Sequence, residues 1–90
     1  MRKPVSPLRV GASVMIRTLT MHYTGKIAAL SRDEVILTDA AWIASSGRWA
    51  AALTNGTLDE VEPYPDPVSI NRNSIVDVTP WRHALPRETK

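Results

Sequence analysis

Val14 to Ile43, VMIRTLTMHYTGKIAALSRDEVILTDAAWI, decides the fold class of this 90-residue chain. Val14 and Ile16 alternate with Met15 and Arg17, and this period of two with β-branched residues marks a half-buried strand. His22-Tyr23-Thr24-Gly25 interrupts the alternation and reads as the first turn, with Gly25 supplying a bend or bulge that has no room for a Cβ. Lys26 to Leu30 reads as a second strand. Ser31-Arg32-Asp33-Glu34 is a polar turn, since Asp supports a turn through its own side chain. Val35 to Thr38 is apolar on both faces, as expected for a strand in a small sheet that curls on itself. Asp39-Ala40-Ala41 is the expected end of that strand.

The remaining segments are short. Residues 1–12 contain Arg2, Lys3 and Arg9, no acid and two prolines, so they read as an extended arm rather than a helix. Residues 45–56 hold the one helical signal: Ser45 or Ser46 as N-cap, Ala50-Ala51-Ala52 as helix formers, and Asn55-Gly56 as the stop. Trp49, Ala52 and Leu53 share one face at this spacing. Such a helix is too short to stand alone and must dock. Thr57 to Glu62 is acidic, with Leu58 and Val61 as apolar anchors. Pro63-Tyr64-Pro65-Asp66-Pro67 is stiff and extended. Val68-Ser69-Ile70 is a fourth strand, Asn71 to Ser74 a tight turn, and Ile75 to Thr79 a fifth strand stopped by Pro80, the two strands being expected to pair as a late hairpin. Residues 81–90 read as a tail that packs on its own domain, or, through the basic and aromatic Trp81-Arg82-His83, as a peptide suited to nucleic acid or a partner surface.

Ninety residues make one domain, 1–90, with a thin stability margin that assembly into a homo-oligomer commonly remedies. The net charge of +2 is compatible with anionic ligands without requiring them. There is no cysteine, so disulfides and thiolate metal sites are excluded. No apolar run approaches the roughly 20 residues of a membrane span, and Pro4 and Pro7 interrupt any signal-peptide core. The expectation is a cytoplasmic protein with no membrane partner.

Gly25-x-Ile27 followed by Val35-x-Leu37-x-Asp39-Ala40 resembles the first half-motif of the Sm family. Val68-x-Ile70-Asn71-Arg72-Asn73-Ser74-Ile75-Val76 resembles its second half-motif. The resemblance implies a mainly β fold: a five-stranded Sm-like small barrel, here with one short α-helix inserted between strands three and four. Two departures stand out. The prolines of the arm replace the family's N-terminal helix, and Glu34 stands where the family has a base-contacting Asn. Ile16-Arg17-Thr18, Gly25, Leu37-x-Asp39-Ala40, Trp42 to Leu53 and Val68 to Val78 are also similar to small uncharacterised phage proteins. Some phage anti-defence sponges use Sm-like barrels, as oligomers, to sequester nucleotide immune signals. That resemblance implies nucleotide sequestration in the cytoplasm of an infected bacterial host cell.

Catalysis is not expected. His22 and His83 lie far apart, no Cys nucleophile exists, and no His/carboxylate cluster has metal-ligand spacing, so no cofactor or metal is expected. Asp39 and Asp77 end or interrupt strands and are read as bonding backbone. The candidate ligand-binding residues are Arg17, His22, Tyr23, Trp42, Arg48, Trp49, Asn71, Arg72 and Asn73. His22 and Tyr23 offer stacking and hydrogen bonding to a base or ribose, or else form a solvated hairpin tip. Trp42 and Trp49 are core or interface residues in one reading and stacking platforms in the other. Arg48, in the expected first helical turn, is an anion site or a solvated cation. Arg72 with Asn71 and Asn73 makes a knuckle of donors or a plain turn, and Arg17 points outward from the first strand. The functional expectation is a non-enzymatic sponge for a small nucleotide such as a cyclic ADP-ribose isomer or a cyclic oligonucleotide, held in a pocket that combines Arg48, Arg72, Tyr23, His22 and a Trp. The alternatives are an Sm-like RNA-binding ring and a structural or adaptor module for a protein partner.

Overall fold

Gly25 sits where two strands approach so closely that a side chain would require its neighbours to shift. A Cβ built there would lie 3.0 Å from Leu37 Cβ and 3.3 Å from the Ala40 Cα. In the computed structural model, which describes residues 4–90, this contact lies inside a long antiparallel ladder. Strand β1 is Ser13–Thr18, β2 is His22–Leu30 and β3 is Glu34–Ser45. Thr24 pairs with Ala41 and Lys26 with Thr38, so β3 carries one extra residue opposite Gly25. Asp39 absorbs that bulge with a left-handed φ of 50°, a conformation that Asp tolerates better than most side chains. The strand therefore does not end at Asp39-Ala40-Ala41 as the sequence suggests. It bends and continues to Ser45.

The bend gives β3 two partners. Its first half pairs with β5 (Val68–Asn71) and its second with β4 (Glu60–Pro63), while β1 pairs with β6 (Ile75–Pro80). All pairings are antiparallel, in the order β4-β3-β2-β1-β6 with β5 on β3. The molecule is mainly β, with a single short helix, α1 (Trp49–Asn55), among the described residues. Six strands form where five were expected, and β5 and β6 are not paired with each other, so the sheet is open. The additional strand is β4. Only Val61 of Glu60-Val61-Glu62 is buried, and its two acidic neighbours on the solvent side kept the segment from reading as a strand, although Val61 was expected as an anchor.

Two apolar layers hold the sheet. Val14, Ile16, Ile27, Val35, Leu37, Ala40 and Ile70 form the inner core, inside the curl. Met15, Ala41, Ile43, Ala52, Leu58, Val61 and Trp81 form the outer one, under α1. Val14, Met15 and Ile16 are each fully buried, so β1 is covered on both faces. The helix is shorter than the expected 45–56. β3 uses Ser45, Gly47 turns the chain with φ 66°, and Arg48 takes the N-cap position without a side-chain cap bond. Gly56 closes the helix in the left-handed conformation, φ 76°, and its N–H donates to the Ala52 carbonyl.

Both ends of the chain pack on the sheet. Of the expected arm, residues 1–3 lie outside the described residues. Gly11 N–H donates to Ile27 O (2.8 Å), Ile27 N–H to Ala12 O (2.9 Å), and Leu8 packs on the inner core. Residues 81–87 hold on with every second side chain. Trp81 and Leu85 enter the outer core. His83 Nε2 donates to Leu53 O at 2.9 Å, and Arg87 donates to Ala40 O and Tyr64 O at 2.9 and 3.0 Å. Lys90 and Val61 exchange both backbone hydrogen bonds. No helix among the described residues is long and apolar enough to cross a membrane.

Replacing Gly25 by Val forces Leu37 and the Ala40 backbone apart, with an expected loss of roughly 2 kcal/mol or more in urea unfolding. Thr24 gives the opposite expectation. Its hydroxyl is fully buried without a hydrogen-bond partner. Thr24→Val removes that orphan at nearly constant shape and raises stability by about 1 kcal/mol. A lower urea midpoint for this variant would mean that the hydroxyl has a partner after all.

Candidate functional site

The register carries one row of side chains across five strands. Asp77 of β6 faces Arg17 of β1, Arg17 faces His22 of β2, His22 faces Ile43 of β3, and Ile43 faces Val61 of β4. Strand alternation puts this row on the same face as Met15, Thr24 and Ala41. Trp49, the first residue of α1, covers part of it. Its ring centroid is 5.6 Å from that of His22, with the planes tilted by 54°, and the Arg17 guanidinium carbon stands 5.3 Å from the indole centre. That distance is within cation–π range.

The same guanidinium is gripped from the side by Asp77. Arg17 Nε donates to both carboxylate oxygens, at 2.9 and 3.0 Å, and Nη2 makes a further bond to Oδ2. The Asp77 carboxyl is held below its ordinary range, first by this hydrogen bonding and further by the charges of Arg17 and His22, against the opposing effect of burial. The Arg17 guanidinium is pushed up by the same partner. The two side chains are 39% and 45% exposed, so water and solutes reach both. Asp77 was expected to bond backbone. The β1–β6 register instead places it opposite Arg17, a partner sixty positions away that spacing along the chain could not identify.

The other expected site residues fall elsewhere. His22 and Tyr23 belong to β2 rather than to the first turn. The turn is Leu19 to Met21, closed by Thr18 Oγ1, which donates to Met21 O and accepts from Met21 N. Tyr23 and Trp42 face each other across β2 and β3, in a row that alternates with that of Arg17 and His22. Tyr23 packs on the inner core, 6.3 Å from the ring of Tyr64, and its hydroxyl lies 3.3 Å from Met21 Sδ. Burial, and secondarily Tyr64, pushes its phenol above the ordinary range, so it is neutral at physiological pH. Trp42 is partly exposed.

Asn71, Arg72 and Asn73 are committed to the turn between β5 and β6. Asn71 Oδ1 accepts from Asn73 N at 2.9 Å and Ser74 Oγ donates to Asn71 O at 2.7 Å. Arg72 donates through Nη1 to Ser31 O and through its backbone to Asp33 O, which ties this one-turn 3₁₀ helix to the β2–β3 turn. Arg48 is exposed beside Trp49. The structure thus joins Arg17, His22 and Trp49 with Asp77, sets Tyr23 and Trp42 on the alternate row, and uses the Asn71–Asn73 knuckle for turn geometry. Among the described residues no cluster of His, Asp and Glu is arranged to hold a metal ion. What the group around Trp49 can do is stack a flat ring and bond an anion.

No family model, curated protein or solved structure matches this chain.

The lowered pKa of Asp77 sets the sign of a pH effect. A carboxyl with a lower pKa in the folded state adds stability above its unfolded pKa of about 3.9, and this is lost as the pH falls through the folded value. Between neutral pH and pH of about 3, Asp77→Asn therefore loses less stability than the parent protein. Urea midpoints measured across that range check this, and parallel curves would contradict it.

Proposed function

We propose that this is a non-enzymatic binding protein that sequesters a small nucleotide of the cyclic ADP-ribose or cyclic oligonucleotide type. In this reading it is a phage anti-defence sponge acting in the cytoplasm of the infected cell. The observation that carries the reading is the meeting of the Trp49 indole with the Arg17 guanidinium and the His22 imidazole on one half-buried patch of the sheet face, beside the edge strand β6. Indole and imidazole rings are of the type that stacks on a base, and a guanidinium is well matched to phosphate. Arg48, exposed and adjacent to Trp49 in the chain, is a second cation at the start of α1. Sequestration needs tight binding and stoichiometric supply, and no step of it requires an acid, a base or a nucleophile.

The finer fold reading is an Sm-like small barrel into which β4 and α1 are inserted. Its support is the three-strand meander flanked by a late pair, with β5 returning to β3, β6 to β1, and one 3₁₀ turn between them. The reading includes a homo-oligomer. β5 and β6 each have a single strand neighbour among the described residues, and an edge without a neighbour is a ready template for another chain. A second reading, a module that holds a protein partner, draws on Leu19 and Val76, which stand 78% and 56% exposed beside the β6 edge.

The test is to denature the purified protein, filter it, and identify what is released by absorbance and mass. A nucleotide at near-stoichiometric yield is the expected result. Trp49→Ala and Arg17→Ala should each weaken its rebinding by about tenfold or more in calorimetry, the usual scale for losing a stacking platform or a charge-assisted bond. Long RNA in the filtrate, with salt-sensitive rebinding, would replace this reading by the RNA-binding ring. Clean protein that binds no nucleotide leaves the partner-binding module.

A further inference from the structure

Arg17 offers its fork to a carboxylate that is itself half open to solvent. We infer that Asp77 is a specificity-determining residue at the Trp49 edge: its carboxylate occupies the place where the oxygens of a phosphate-bearing ligand would meet the Arg17 fork. The assignment rests on the nucleotide reading above for the ligand's identity, but its geometry stands independently.

Three features support it. First, the bond pattern is that of anion recognition: Nε and Nη2, two donors on one side of the planar guanidinium, point at the two oxygens of one group. A phosphate presents two oxygens with a similar spacing, so it can take over both donors without moving the arginine. Second, the guanidinium is already positioned by Trp49 beneath it, so displacing Asp77 leaves the fork ordered. Third, Arg17 and Asp77 are 39% and 45% exposed, and an ion pair in contact with water is weak enough for a doubly charged anion to displace. The charged and titratable groups facing the fork are Asp77 from β6 and His22 from β2, with Arg48 on the approach to α1. A monoanion gains little over Asp77. A phosphate or pyrophosphate brings more negative charge to the same fork. Asp77 thereby filters ligands by charge as well as shape.

The probe is inorganic pyrophosphate, titrated into the ¹⁵N-labelled protein at constant ionic strength while the Arg17 Nε–H signal is followed by NMR. In the parent protein this signal should shift and saturate, while that of Arg32, an exposed arginine beside Asp33, does not. In Asp77→Asn the midpoint should fall by about threefold to tenfold, the scale expected for removing one nearby negative charge at a wetted site. An Arg17 signal that ignores pyrophosphate in both proteins, or an Asp77→Asn midpoint no lower than the parent's, overturns the assignment. If Asp77→Asn fails to fold, Asp77→Ser gives the same comparison. Failure of the nucleotide reading looks different: pyrophosphate still moves Arg17 and the variant still binds it more tightly, while cyclic ADP-ribose isomers and cyclic oligonucleotides bind neither protein.

Discussion

The close approach of β2 to β3 at Gly25 is the constraint on which the architecture rests. Flat strands of this length would give a simple meander with one covered face. The extra residue at Asp39 and the missing side chain at Gly25 let β3 turn a corner, and only then can one strand serve β5 with its first half and β4 with its second. The corner also separates the two apolar layers. Leu37 and Ala40 fall inside the curl, while Ala41 and Ile43 fall under α1. Bulges commonly re-aim the residues that follow them, and here the residues re-aimed are the floor on which the helix sits.

The Trp49 edge is a product of the same geometry. β1 is buried on both faces from Val14 to Ile16, and Arg17 is the first residue beyond that covered stretch. It emerges where the outer core ends, with an apolar wall of Met15 and Ile43 behind it and solvent in front. A charge at such a border keeps its hydration on one side and can rest on an indole on the other. His22 and Asp77 reach the same border because their strands are in register with β1. The site is therefore a row of the sheet rather than a cluster of loops. Its spacing is fixed by strand pairing, and rigid elements hold binding groups more accurately than loops do.

Much of this was legible in the sequence. The alternation in Val14 to Arg17, the polar turn at Ser31 to Glu34, the helix stop at Asn55-Gly56 and the late strands on either side of Asn71 to Ser74 all come from local chemistry, and local chemistry persisted. Gly25 announced a bulge, although the sequence placed it in a turn. The continuation of β3 through Asp39 was hidden because an Asp between two strands reads as a terminator unless the left-handed bulge is known in advance. β4 was hidden by its acidic solvent face. The grouping of Arg17, His22 and Trp49 could not be read, because it depends on β1–β2 register and on where α1 docks. Asp77 is the clearest case: an acid in the middle of an apolar strand was visible, but its partner lies on the first strand of the chain.

The segment from Trp81 to Lys90 grips the body at Trp81, His83, Leu85, Arg87 and Lys90, and the grips are spread over the outer core, the end of α1, the corner at Ala40, and β4. A fastener of this kind opens from one end, tooth by tooth. Amide protons of the outer layer, Val61 foremost, will therefore exchange through partial openings that leave the inner layer closed. Two tiers of protection are the expected outcome of amide exchange, with the tier beneath Trp49 yielding first.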